Sequence, residues 1–339
     1  MKVTIKDIAK TAGVSYQTVS KALLGRGEVK AATAEKIRQI AKAQGYVPSL
    51  TARALTTKKS QLIAVFLPQI ASSFYHHILQ GIDNLASQQG YSILLYLFEN
   101  TIIEDKLETI LAYQVDGMII FENHLTFDTL NRFQAHHIPL LFVNSTDMPM
   151  DASQIAIDAY DGLRLAFQHV YDLGHRRILL AYSDHEAGMK RIEAVKQLPA
   201  QFPGLSLQAK IYCDHYASAE VAQNFHLGDL RGGITAIICT SDYIALPIMT
   251  HLWQHHVRIP DDISIIGFDD LEFAAFLHPA LTTIAQPKRA FGERILHTLL
   301  GLMHGEAKQN LTIFPQLLVR GSTRAYAHAA AGTGGEGLG

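Results

Sequence analysis

The sequence predicts a small all-α helix-turn-helix head joined to a two-lobed α/β body with parallel sheets, and three observations carry that expectation. The 339 residues are too many for one compact core. Charge is segregated: residues 1 to 60 hold 12 Lys/Arg and 3 Asp/Glu, a formal +9, and the remainder holds 17 and 28, a formal −11. Beyond residue 60, short apolar runs alternate with helical patterns, the signature of β-α units. A basic module on an acidic body is the footprint of a phosphate-binding head kept from adhering to its own protein.

The head is read in chain order. Thr4 is a suitable N-cap, and Ile5, Ile8, Ala9 and Ala12 follow at the spacing of one helical face. Gly13 breaks that helix. Ser15 caps a second one, in which Val19, Ala22 and Leu23 face inward while Tyr16, Gln17, Ser20 and Lys21 share the opposite face. Two short helices joined by a tight glycine turn make a helix-turn-helix. Side chains in the first turns of such a helix meet base edges in the major groove, which suits Tyr16, Gln17 and Lys21; the hydroxyls of Ser15, Thr18 and Ser20 suit phosphates. Ser15 also has the plain reading of a cap alone, and Tyr16 of a packing residue. A third helix from about Ala32 to Gln44 completes the core, with Gly45 as its stop. Pro48 to Leu55 has a Ser cap and good helix formers for about two turns, too few to hold alone in water.

The run Thr4-Ile5-Lys6-Asp7-Ile8-Ala9, followed by Ala12-Gly13-Val14-Ser15-Tyr16-Gln17-Thr18-Val19-Ser20, resembles the lactose-repressor (LacI) family. The resemblance implies DNA contacts from Thr4, Ser15, Tyr16, Gln17, Thr18, Ser20 and Lys21. It also implies a hinge helix from Ser49 to Leu55 that orders on operator DNA, with DNA contacts from Ala52 and Leu55, where Leu55 is wedged into the minor groove at the dimer axis and kinks the duplex.

In the body, Leu62–Leu67, Tyr91–Leu97, Met118–Phe121, Pro139–Val143, Ile178–Ala181, Ala236–Cys239 and Ile263–Phe268 read as buried strands, with a helix near Phe74 to Gln89. Ligands of such sheets bind beyond the carboxyl ends of the strands, and the residues there are polar: Asn144-Ser145, Asp158, Thr240-Ser241-Asp242 and Asp269-Asp270. Any one of these is an ordinary cap or turn residue; several on one side favour a pocket.

The family resemblance extends over the body through Gly174-His175-Arg176-Arg177-Ile178, Ile265-Ile266-Gly267-Phe268-Asp269-Asp270 and Pro279-Ala280-Leu281-Thr282-Thr283-Ile284 with Gln286-Pro287. It implies a periplasmic-binding-protein-like (type I) effector domain of two lobes with three crossovers. By position it makes Asp269 the pocket aspartate, Arg191 the pocket arginine, Ser241, Asp158 and Asn144 polar wall residues, and Phe74 a lid. At Arg191 the family's Arg-x-x-Gly-Phe pattern reads Arg191-Ile192-Glu193-Ala194-Val195 instead. A carboxylate, a guanidinium and an aromatic ring suit a sugar, and the same groups could hold a purine.

These readings divide the chain into a DNA-binding domain at 1–47, a hinge helix and linker at 48–59, an effector-binding and dimerisation domain at 60–327, and a flexible tail at 328–339. The first lobe is expected at about 60–158 and 288–317, the second at about 159–287 and 318–327. The function expected is that of a repressor which binds a palindromic operator as a homodimer and answers to a small effector, a sugar above all. Control by a purine or by a phosphoprotein, and a sugar-binding module without an operator, are the alternatives. No catalytic motif points to an enzyme, and no cofactor or metal is expected; His251 and His255 at i, i+4 lack the carboxylate or cysteine of a zinc signature. Two cysteines outside any metal spacing and the absence of a long apolar run fit a cytoplasmic protein with no membrane partner.

Overall fold

A computed structural model describes residues 3–23, 29–47, 59–70, 72–97, 103–121, 126–145, 152–184, 192, 195–196, 198–214 and 218–326. The expected hinge segment, with Ala52 and Leu55, the pocket arginine Arg191 and the tail lie outside the described residues. The chain forms two compact units, Met1–Leu62 with Leu111–Asp116, and Ile63–Ile110 with Gly117–Gly339.

In the first unit, α1 (Ile5–Ala12), α2 (Tyr16–Leu23) and α3 (Ala31–Ala43) bury Ile8, Val19 and Ile37 completely, with small alanines between them. Those alanines let short helices approach closely enough to close a core of few residues. Gly13 ends α1 at φ +71°, a left-handed conformation that a residue with a Cβ adopts only at a cost, and its N–H returns to the carbonyl of Ala9. The same unit contains Asp116, whose carboxylate accepts from the Ser60 N–H at 2.8 Å, the Ser60 hydroxyl at 3.0 Å and the Gln61 N–H at 3.0 Å. Those bonds group Leu111–Asp116 with the residues before Leu62, a division that differs from the sequence boundary at residue 60.

The second unit holds two six-stranded sheets. In the first lobe, β1 (Leu62–Leu67), β2 (Ser92–Leu97), β3 (Gly117–Phe121), β4 (Leu140–Val143), β5 (Ser153–Ile157) and β11 (Asn310–Ile313) lie in the order β2-β1-β3-β4-β5-β11. The β1/β3, β3/β4, β4/β5 and β5/β11 pairs are parallel. Its helices are α4 (Ser73–Gln88), α5 (Ile103–Tyr113), α6 (Phe127–Ala135) and α10 (Lys288–Met303). Helices α4 and α10 touch backbone to backbone: a Cβ on Gly292 would lie 2.1 Å from the Ile78 carbonyl oxygen, and one on Gly81 2.2 Å from that of Arg289.

The second lobe begins with α7 (Ala159–Asp172) and continues through β6 (Arg177–Ser183), β7 (Ser206–Cys213), α8 (Ser218–Asn224), β8 (Ala236–Cys239), α9 (Asp242–Gln254), β9 (Ser264–Asp269), β10 (Thr282–Ala285) and β12 (Gln316–Leu318). Its sheet order is β7-β6-β8-β9-β10-β12, parallel throughout except for the antiparallel β10/β12 pair. Strands buried on both faces, such as β8 with Ala236–Cys239 fully buried, explain why continuous apolar runs marked them in the sequence. The edge strand β7 is exposed or half-buried over Ser206–Ile211 and buried only at Tyr212 and Cys213, and β10 to β12 are only three or four residues long, so no such run announced them.

The chain crosses between lobes three times, from β5 to α7, from β10 to α10, and from β11 to β12. The last crossing falls between Ile313 and Gln316, a few residues earlier than the break expected near 317, because Gln316–Leu318 already pairs with β10.

Candidate nucleic-acid interface and effector site

On the head, Tyr16, Gln17 and Lys21 are exposed on α2, with Tyr16 at 56%. Ser15 is exposed before the first turn. Its hydroxyl accepts from the Thr18 N–H at 3.1 Å and lies 2.9 Å from the Thr18 hydroxyl, so both side chains also serve the cap. Ser20 is half-buried. Thr4 is exposed and donates its N–H and its hydroxyl to the Asp7 carboxylate, at 2.9 and 2.7 Å. These hydrogen bonds hold the Asp7 carboxyl below its ordinary range.

In the body, the sequence-derived effector residues gather in two groups at the carboxyl ends of the two sheets. In the first lobe, Asn144 follows β4 at φ +53°, a conformation that Asn tolerates better than most residues, and its Oδ1 accepts from the Ile157 N–H at 2.9 Å. That bond places it beside Asp158, which caps α7 by accepting from the Asp161 N–H at 2.9 Å. Phe74 stands half-buried in the first turn of α4, edge-on to Tyr75.

In the second lobe, Ser241 caps α9 by accepting from the Tyr243 N–H at 3.2 Å, and its hydroxyl donates to Asp269 Oδ2 at 2.9 Å. Gln286 Nε2 donates to Asp269 Oδ1 at 2.6 Å. Asp269 and Asp270 both have positive φ, +104° and +50°, uncommon for residues with a Cβ. Beneath this turn, the fully buried Asp242 accepts from the Leu271 N–H and the Thr283 hydroxyl, both at 2.7 Å. Burial, reinforced by Asp242, pushes the Asp269 carboxyl up to about 8, and burial pushes that of Asp242 up to about 6. Two carboxyls withdrawn from water this close together resist ionising together.

The lobes meet near this site. The Ser73 N–H at the start of α4 donates to the Tyr243 hydroxyl at 3.3 Å, and His77 Nε2 lies 3.0 Å from Glu272 Oε1. The first of these contacts brings the turn that carries Phe74 to the helix start that carries Ser241. Asn144 and Asp158 form their own pair on the other sheet. Gln286 was legible only as part of the Gln286-Pro287 motif, and nothing in the local pattern marked Lys288 or the buried role of Asp242. Among the described residues no group of three potential metal ligands occurs; the His251 and His255 rings stack at 4.3 Å. Among the same residues no helix is long and apolar enough to cross a membrane.

A three-helix head and a doubly wound two-lobed body with polar groups at the strand ends define a DNA-binding module fused to a small-ligand-binding domain. Residues 4–49 match the model of bacterial regulatory proteins of the lacI family, and residues 167–323 match the periplasmic binding protein-like domain. The chain is 31% identical over 339 residues to the HTH-type transcriptional regulator DegA of Bacillus subtilis, covering 95% of this chain and 98% of that protein. It is 29% identical over 332 residues to the HTH-type transcriptional repressor CytR of Escherichia coli, covering 95% and 96%. Among solved structures, the lac repressor dimer bound to operator and the anti-inducer ONPF superposes with a TM-score of 0.83 at 30% identity, covering 96% of this chain and all of that one. The chain belongs to the lacI family of bacterial regulatory proteins.

Proposed function

We propose that the chain is a sequence-specific transcriptional repressor, cytoplasmic and without catalytic activity, that binds a palindromic operator as a homodimer and releases it when a sugar occupies the body. The observation that carries this reading is the exposed face of α2, where Tyr16 and Gln17 open the helix and Lys21 follows one turn on, in a helix sized for the major groove. Ser15, Thr18, Ser20 and Thr4 would contact phosphates and fix the register. Segment 48–59 would supply the hinge, with Ala52 and Leu55 contacting DNA and Leu55 in the minor groove.

For the effector, Asp269, Ser241, Asn144, Asp158 and Arg191 would supply hydrogen bonds to hydroxyls, and Phe74 would cover an apolar ring face. A ligand that prefers the lobe arrangement incompatible with hinge pairing lowers operator affinity by its difference in affinity for the two states. Residues 60–327 would then form the effector and dimerisation domain, with the lobes divided at the three crossings.

The test is selection of bound sequences from random duplex DNA at fixed salt, with wild type and Leu55→Ala side by side. The expected result is an enriched near-palindrome that the variant binds weakly. Uniform binding of all sequences, with no enrichment, would sink the operator reading. Calorimetric titration with pentoses, hexoses, nucleosides and purine bases tests the effector; heat from purines alone would replace the sugar.

A further inference from the structure

The turn at Asp269 and Asp270 is held more elaborately than a strand end requires. Two successive residues with a Cβ take positive φ, and three charged side chains grip the three residues from 269 to 271. Asp242 receives the Leu271 N–H from below. Arg320 ties the Asp270 carboxylate at 2.6 Å and donates to the Leu281 carbonyl at 2.8 Å. Lys288 donates its ammonium to the backbone carbonyls of Asp269 and Asp270, at 2.6 and 2.8 Å.

Lys288 differs from the other two in where it comes from. It is the first residue of α10, the helix that opens the first lobe's return after the second crossing, and α10 is seated against α4 through Gly81 and Gly292. An ammonium has no planar fork and no acceptor, so two carbonyls turned towards one Nζ satisfy it only while the peptide between residues 269 and 270 keeps its unusual orientation. Two residues before it, Gln286 holds the Asp269 carboxylate itself. One short segment between the lobes thus fixes both the backbone and the side chain of Asp269.

We infer that Lys288 is the positioning residue of the effector site: it keeps the Asp269–Asp270 turn in its strained form, so that the Asp269 carboxyl stays withdrawn against Ser241 and Gln286, and it joins that carboxyl to α10. The inference rests on the reading of Asp269 as an effector group. The charged groups around this carboxyl are Asp242 on α9, Asp270 beside it, Lys288 on α10 and Arg320 after β12. Burial is the main reason that the Asp269 carboxyl titrates high, and the charge of Lys288 acts the other way. Releasing the turn and merely deleting a charge therefore move the titration in opposite directions.

The experiment is a ¹³C-carboxyl titration of the full-length, ligand-free protein carrying labelled aspartate, with the Asp269 resonance identified by its loss in Asp269→Asn. Lys288→Met is expected to bring the Asp269 midpoint down from about 8 towards the ordinary carboxylate range, and Lys288→Arg, which keeps the donors and the charge, to restore it at least in part. A midpoint that rises in Lys288→Met would make the lysine a charge and nothing more. An unmoved midpoint would leave it no part at all, and either result overturns the inference. Should Lys288→Met fail to fold, Lys288→Gln, which retains a single amide donor group, gives the same comparison. Sugar calorimetry on Asp269→Asn separates the two ideas. Unaltered sugar binding there would remove Asp269 from the effector site whatever Lys288 does, whereas lost binding with an unmoved Lys288→Met midpoint would defeat the Lys288 inference alone.

Discussion

The two sheets end differently at the candidate site. In the first lobe, Asn144 and Asp158 each accept one backbone N–H, bonds that close a strand end and start a helix. In the second, Asp269 and Asp270 form one turn with Asp242 beneath it, and Ser241, Thr283, Gln286, Lys288 and Arg320 are spent on holding the three. The first arrangement is local and inexpensive. The second withdraws the Asp242 and Asp269 carboxyls from water, a cost offset by a hydrogen-bond donor on each of their oxygens. Strain is greater in the second, where two successive residues take positive φ against one in the first.

The sharpest way to break this contrast is Gly267→Ala. A Cβ at that position would lie 2.0 Å from Asp242 Oδ1 and 2.8 Å from Leu281 Cδ2, so the buried carboxyl would lose its partners. The expected loss of stability is about 3 kcal/mol, read from the midpoint of denaturant unfolding. On the first lobe, Asp158→Ala removes only a helix cap and should cost about 1 kcal/mol in the same assay. Equal losses at the two sites would erase the difference between the lobes.

Between these two in subtlety lies the effect of pH. The folded protein holds the Asp269 carboxyl at about 8 and that of Asp242 at about 6, both above the ordinary value of 3.8. The folded state therefore binds protons that the unfolded chain releases, and stability falls as the pH rises from about 4 to 8. The melting temperature should decline across that window, and Asp269→Asn should flatten the upper part of the decline. A melting temperature that climbs between pH 6 and 8 would contradict the buried-carboxyl picture.

Legibility in the sequence followed the range of the interactions. The caps and apolar faces of the head's helices are local patterns, so Thr4, Gly13, Ser15 and the apolar positions of α1 and α2 could be read directly from spacing. Most of the seven apolar strands were visible because they are buried on both faces, and the edge strand β2 because it is apolar after its first residue; β7 and the short β10 to β12 are defined by their partners. At the site, Asp269, Ser241, Asp158 and Asn144 stood out as polar residues after apolar runs. That Ser241 and Asp158 also act as caps was anticipated in kind. Lys288 was not marked, because its partners lie 18 and 19 residues back along the chain, and only the second crossing brings them together. Asp242 stood out only as part of the polar run after β8, and its buried role was not marked: a first-turn aspartate reads as an ordinary complement to the helix dipole until the turn above it is known.

The three crossings have a consequence for how such a protein can diversify. Neither lobe is a continuous stretch of chain, so recombination cannot exchange one as a cassette: a graft of the second lobe would need matched junctions after β5, after β10 and between β11 and β12, all laid side by side. The head, by contrast, precedes every crossing and can be transplanted at a single junction. Lineages built on this plan can trade operators in one event, while a new effector has to be reached by substitutions made in place.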